Sequence, residues 1–102
     1  MFMEEYSVMI LPSAQFDILD IMDHLNSLLP EEAVSYYDML VGQLGTLSKT
    51  PEIYPLAKDT QLRLRGYRTL PANDYIAFFV IRDRSVELRR ILYSRRQYDW
   101  LL

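Results

Sequence analysis

Seven arginines fall in two short stretches of this chain. Arg63, Arg65 and Arg68 form the first; Arg89, Arg90, Arg95 and Arg96 form the second, with Tyr93 and Tyr98 interleaved. A guanidinium is a planar fork that meets a phosphate or a carboxylate with two parallel hydrogen bonds, so both stretches suit recognition of an anion. Arginine can hold a phosphate and stabilise charge that develops on it. It cannot readily take up a proton, because its pKa lies above about 12. Tyrosine, with an ordinary pKa of about 10, could act as a base only where positive neighbours lower that value. Tyr93 and Tyr98, set among Arg89, Arg90, Arg95 and Arg96, meet that condition on spacing alone. Two plainer readings stand beside this one: the tyrosines pack a sheet edge with their hydroxyls in water, and several arginines pair with acidic groups elsewhere in the chain.

Other chemistries have less to work with. His24 is the only histidine and falls inside an apolar helical pattern, between Ile21 and Leu25, as a helix-surface residue. Asp17, Asp20 and Asp23 lie near it, but no second histidine or matched ligand spacing accompanies them, so no metal site is expected. The sequence holds no Gly-rich phosphate loop, no nucleophile elbow and no recognisable Ser/His/Asp arrangement. No cofactor is expected.

Charge is divided by sequence half. Residues 1–56 carry one base, Lys49, against nine acids, and residues 57–102 carry Lys58 and nine arginines against five acids. The overall charge of −3 therefore conceals an acidic half and a basic half, which implies one acidic and one basic surface. The 102 residues suit one domain spanning 1–102, and a hydrophobic share of 50% with 25% charged residues is globular composition. There is no cysteine to form a disulfide or a thiolate metal site, which fits a reducing compartment. Glu4 and Glu5 stand where a signal peptide would be basic, and the apolar run Tyr75–Ile81 is far short of a membrane span. A soluble, cytoplasmic protein is expected.

The elements that must position the arginines follow from periodicity. Tyr6–Leu11 reads as a strand, ended by Pro12. Ser13 is a plausible N-cap for a helix whose Ile18, Ile21, Met22, Leu25 and Leu28 recur at three- and four-residue steps. After a turn at residues 26–29, Pro30 suits the first position of a second helix, with Ala33, Tyr37, Leu40, Leu44 and Leu47 as its buried stripe and Thr50-Pro51 as its stop. Residues 48–61 read as a loop. Leu62–Leu70 reads as a strand with a bulge at Gly66, Pro71–Asp74 as a turn, Tyr75–Ile81 as a central strand, and Val86–Tyr93 as the last strand. Ser94–Leu102 is a tail whose Tyr98, Leu101 and Leu102 could pack back. The predicted class is α+β: a helical hairpin covers one face of a small, largely antiparallel sheet in the order β-α-α-β-β-β. The other face is left open, as the natural place for the basic surface.

This element order resembles the RelE/ParE superfamily of type II toxins over about Tyr6 to Leu102. The resemblance is carried by the opening strand, by Ala14 and the Asp17–Ile21 helix segment, by Ala33, Leu47 and the Thr50-Pro51 helix end, by Gly66-Tyr67-Arg68, by the strand that opens at Tyr75, and by the ending Arg90–Tyr98. It implies a toxin bound by a cognate antitoxin protein. RelE-like members cleave mRNA on the ribosome, whereas ParE-like members inhibit DNA gyrase and lack that catalytic set. By position, Arg68 and Arg96 match basic sites of the nucleases, with Tyr98 as the aromatic partner. Together these three would be the catalytic set, and Arg63, Arg65, Arg90 and Arg95 would bind RNA phosphate. Metal-free cleavage would need the 2′-hydroxyl to attack its own phosphate, with a base, an acid and positive charge on the phosphorane. Where nucleases of this type often carry arginine after the tyrosine that opens the third strand, this chain has Ile76, and its pI of about 5.0 is acidic for a group of mostly basic proteins. Ribosome-associated mRNA cleavage is the expected activity, with gyrase inhibition or a non-toxic binding module as alternatives. Five methionines and eight tyrosines suit a protein-binding surface or an ordinary core equally well.

Overall fold

The computed structural model describes residues 5–94. A strand β1 (Ser7–Ile10) leads into helices α1 (Pro12–Leu28) and α2 (Ala33–Gly45), then a short helix α3 (Thr60–Leu64) and strands β2 (Arg68–Ala72), β3 (Tyr75–Arg82) and β4 (Ser85–Tyr93). Single 3-10 turns at Thr46–Ser48 and Pro51–Ile53 punctuate the link from α2 to α3. The four strands form one sheet in the order β1-β4-β3-β2, with β1 parallel to β4 and the other pairs antiparallel. The hairpin-and-meander arrangement expected from the sequence is present, with α3 as an addition.

β3 is central because it is apolar on both sides. Ala77 and Phe79 enter the core beneath the helices with Leu70, Val86, Leu88 and Ile91, against Ala14, Ile21 and Leu25 of α1. Phe78 and Val80, the intervening residues, face the other way. That second face is not left open. Residues 57–67 fold across part of it, and Ala57, Leu62 and Tyr67 make a smaller core with Phe78, Val80 and Leu92. Burial of these apolar side chains offsets the entropy of ordering a segment with little regular structure.

Several local expectations are corrected by this cover. Leu62–Leu70 is not one strand: Asp59 caps α3 by accepting from the Leu62 amide at 3.0 Å, and the chain remains helical to Leu64. Gly66 is no bulge; its φ of +81° is the left-handed turn that ends α3 and delivers Tyr67 to the core. The bulge lies in β4 instead. Phe78 pairs with Arg90 and Phe79 with Leu88, so Arg89 is the extra residue. Pro71 belongs to β2, an edge strand in which a missing N–H is tolerated, and the tight turn is Asn73-Asp74 with Asn73 at φ 57°. α1 begins at Pro12 with Leu11 as its N-cap, so Ser13 does not cap it. α2 begins at Ala33, three residues after Pro30, and ends at Gly45, ahead of Thr50-Pro51. Tyr37, expected in its buried stripe, is 40% exposed, and it is Tyr36 that packs against the core.

Candidate functional site

A recess lies on each side of the sheet. On the helix side an apolar groove of about 390 Å³ runs between β1, α1 and α2, walled by Val8, Ile10, Ile18, Tyr37 and Val41, with Leu88 among its lining residues. Ile10, Tyr37 and Val41 are exposed there. On the other side a basic recess of about 310 Å³ is lined by Arg65, Tyr67, Val80, Arg82 and Arg89.

The basic recess is assembled by the features that end or interrupt regular structure. Arg65 follows the last turn of α3, Gly66 reverses the chain, and Tyr67 is pinned by its amide donating to Leu62 O at 3.0 Å and its carbonyl accepting from Ala57 N at 2.8 Å. Arg82 closes β3, and Arg89 is the bulged residue of β4. Leu88 and Ile91 both enter the helix-side core, and the bulge between them sets Arg89 on the opposite side, beside Tyr67 and Val80.

Glu87 joins the arginines: its Oε1 accepts from Arg89 Nη2 at 2.7 Å and from Arg82 Nε at 3.3 Å. The hydrogen bond from Arg89, chiefly, holds the Glu87 carboxyl below its ordinary pKa of 4.5, against the effect of dehydration and with help from Arg82. Burial works against the charge of Arg89, but the bond to Glu87 and the adjacent Tyr67 outweigh it and raise its pKa. The guanidinium carbons of Arg65 and Arg89 lie 5.4 and 5.9 Å from the Tyr67 ring centroid, within cation–π reach. Arg89 Nε is buried and has no hydrogen-bond partner. Among the described residues, three guanidinium groups and one carboxylate thus gather beside a buried aromatic ring.

Most of the described candidates read from the sequence lie elsewhere. Arg68 donates through Nη1 to Tyr54 O at 2.7 Å and to Glu52 O at 3.3 Å, tying residues 52–54 to β2. Arg63 donates to Lys58 O and to Thr60 Oγ1, within its own helix and the turn before it. Arg90 meets Asp17 with two bonds, Nε to Oδ2 at 2.7 Å and Nη2 to Oδ1 at 3.0 Å. Asp17 also accepts the Ile91 amide at 2.9 Å, an amide beyond the last β1–β4 pair, Ile10 with Leu88. Its carboxylate thus continues the sheet where β1 stops. Bonding to Asp17, chiefly, raises the Arg90 pKa against the cost of partial burial. Of the four described candidates, Arg65 alone lines the basic recess; Arg95, Arg96 and Tyr98 lie outside the described residues. Arg82 was not among the candidates, and Arg89 was named only as a member of the second basic stretch, with no role assigned to it. A terminal strand arginine carries no special pattern, and the bulge that aims Arg89 is set by strand pairing.

The described tyrosines at the sheet end form an aromatic ladder. Tyr75 sits edge-on to Tyr36 at 6.5 Å and to Tyr93 at 5.9 Å. Burial, with Tyr36, Asp74 and Tyr93 alongside, raises the Tyr75 pKa, away from what a general base would need. His24 is exposed on α1 and borders a small recess with Asp17, Asp20 and Tyr75. Among the described residues no group of histidine and acidic side chains could hold a metal ion, and no helix is long and apolar enough to cross a membrane.

Chains from two bacterial toxin–antitoxin systems have a similar fold. A chain of the chromosomal ParDE system from P. aeruginosa is similar over 86% of this chain and 95% of its own length, with a TM-score of 0.73 and 22% identity. A chain of the RelBE2 toxin–antitoxin complex from Mycobacterium tuberculosis is similar over 87% and 98%, with a TM-score of 0.57 and 17% identity. No curated protein matches the sequence. Residues 8–98 match the family described as the ParE toxin of the type II toxin–antitoxin system parDE, and the chain belongs to that family.

Proposed function

We propose that this protein is the toxin of a type II module, held inactive in the cytoplasm by a cognate antitoxin, and that it acts by inhibiting DNA gyrase through binding. Membership of the ParE family over residues 8–98 carries this reading. The commitments of the arginines support it. Arg68 and Arg90 are engaged in bonds that hold the fold, and Ile76 packs against the second core where a nuclease of this superfamily often presents arginine. The apolar groove between β1, α1 and α2 is where an antitoxin segment would bury its own apolar side chains.

Ribosome-associated mRNA cleavage is the competing reading, favoured by the concentration of Arg95, Arg96 and Tyr98 after β4. The two readings part in one experiment. The purified chain is added to a supercoiling assay with gyrase and, separately, to ribosomes programmed with mRNA. Blocked supercoiling with intact message is the expected result, relieved by the protein encoded in the adjacent reading frame. Cleaved message with normal supercoiling would overturn the gyrase reading, and loss of that cleavage in Arg96→Ala or Tyr98→Phe would establish the nuclease. If induction causes no growth arrest at all, the chain is a binding module and neither activity stands.

A further inference from the structure

We propose that the groove between β1, α1 and α2 receives a cationic amphipathic segment of a partner protein. Its apolar side chains enter the groove, and its lysines or arginines meet the aspartates of the helices. The inference rests on the reading of the chain as a toxin bound by an antitoxin, and it names the chemistry of the segment that binds. The groove, of about 390 Å³, has room for several aliphatic side chains. Its apolar lining continues onto the surface. Val34, Tyr37 and Val41 recur at three- and four-residue steps along α2, and all are exposed, as are Ile10 of β1 and Leu19 of α1. An apolar strip of this kind at the surface marks a contact with another chain.

Charge identifies the partner. β1, α1 and α2 together carry Asp17, Asp20, Asp23 and Asp38 and neither lysine nor arginine. Glu31 and Glu32 add carboxylates in the turn between the helices. Asp17 is paired with Arg90. Asp20, Asp23, Glu31, Glu32 and Asp38 are exposed and make no ion pair among the described residues. Asp38 stands next to Tyr37 and one turn from both Val34 and Val41, so it flanks the strip directly; Asp23 lies one turn from Leu19. Lys49, the nearest base in sequence, comes only after Ser48, where that part of the lining ends. A segment that buries apolar side chains here is therefore held best when its polar positions are cationic. The same charge argues against other occupants. A twofold contact with a second copy through this face would set the aspartates of both copies against one another. An anionic membrane surface is disfavoured too, since helices that lie on it flank their apolar face with lysine and arginine.

The test is a titration of the full-length chain, followed by amide chemical shifts, with synthetic peptides of equal length. All carry leucine at the same three- and four-residue steps, and their remaining positions are lysine in one, glutamine in the second and glutamate in the third. Saturable shifts at Val8, Ile18, Tyr37 and Val41 are expected with the lysine peptide, which should bind at least about tenfold more tightly than the glutamate peptide. That preference should fade as added sodium chloride shortens the Debye length from about 10 to about 3 Å. Asp38→Asn and Asp23→Asn should each weaken the lysine peptide about twofold to fivefold and leave the glutamine peptide unchanged. Equal or tighter binding of the glutamate peptide, a preference that persists in high salt, or an absence of saturable shifts at the groove would overturn the inference. So would groove shifts that grow with protein concentration before any peptide is added, which assign the groove to a second copy. The antitoxin reading is decided separately, by whether the protein of the adjacent reading frame co-purifies with the chain. If it does, and the segment of it that shifts the groove amides is acidic, the inference falls and that reading stands. If it does not, that reading falls, and a preference for the lysine peptide still supports the chemistry assigned to the groove.

Discussion

The two faces of the sheet are covered in different ways. Beneath the helices, Phe79, Val86, Leu88 and Ile91 meet side chains spaced along α1 and α2, and the apolar character continues outward into the groove at Val8, Ile10 and Val41. On the opposite face a segment with one short helix lays Ala57, Leu62 and Tyr67 over Phe78, Val80 and Leu92, and where that cover runs out the surface becomes Arg65, Arg82 and Arg89. One strand, β3, feeds both cores through alternate residues. The helix-side cover leaves an apolar surface, and the shorter cover leaves one lined by arginines.

The contrast can be broken at four points. Phe79→Ala should have the largest effect, a loss of about 3–5 kcal/mol read by urea denaturation, because the core under the helices supports the whole chain. Leu62→Ala should cost about 2–3 kcal/mol. Its signature is local: hydrogen exchange should accelerate across residues 57–67 while amides of α1 and β4 stay protected, and uniform acceleration would show that the two covers unfold as one unit. Asp17→Ala leaves the Ile91 amide and Arg90 without their acceptor; with side chains 11% and 21% exposed, the pair should be worth about 1.5–3 kcal/mol, seen as a lowered Tm. The smallest effect concerns pH. Glu87 has a lowered pKa in the folded state, so its contribution to stability is present above the ordinary value of 4.5 and is lost as pH falls through the folded value. Glu87→Gln should lack that component of the acid transition, and identical transitions in both proteins would show that the Arg82–Glu87–Arg89 contact stabilises nothing.

The helical hairpin was legible because its apolar residues keep helical spacing: Ala14, Ile21 and Leu25 are buried as their positions require. β3 was legible because seven successive apolar residues leave no polar side. α3 was misread for a physical reason. Leu62-Arg63-Leu64-Arg65 alternates like a half-buried strand, yet Leu64 is 79% exposed and only Leu62 is buried. Five residues are too few to show a helical period, and the deciding signal was the cap at Asp59. The division of charge between the two halves did foreshadow Arg90 with Asp17, but which arginine would cross 73 positions to which aspartate depends on where β1 stops. The basic recess was less legible still, since its members come from a helix end, a strand end and a bulge.

The bulge has a consequence for how such a surface could be gained or lost. On either side of Arg89 the partners are consecutive on β3, Phe79 for Leu88 and Phe78 for Arg90, so a chain lacking Arg89 would present an unbroken ladder. The most deeply placed positive charge of the recess thus rides on the one residue of β4 that strand pairing does not require. A single-codon deletion could discharge the recess while leaving every neighbouring pair in step, and a single-codon insertion could restore it.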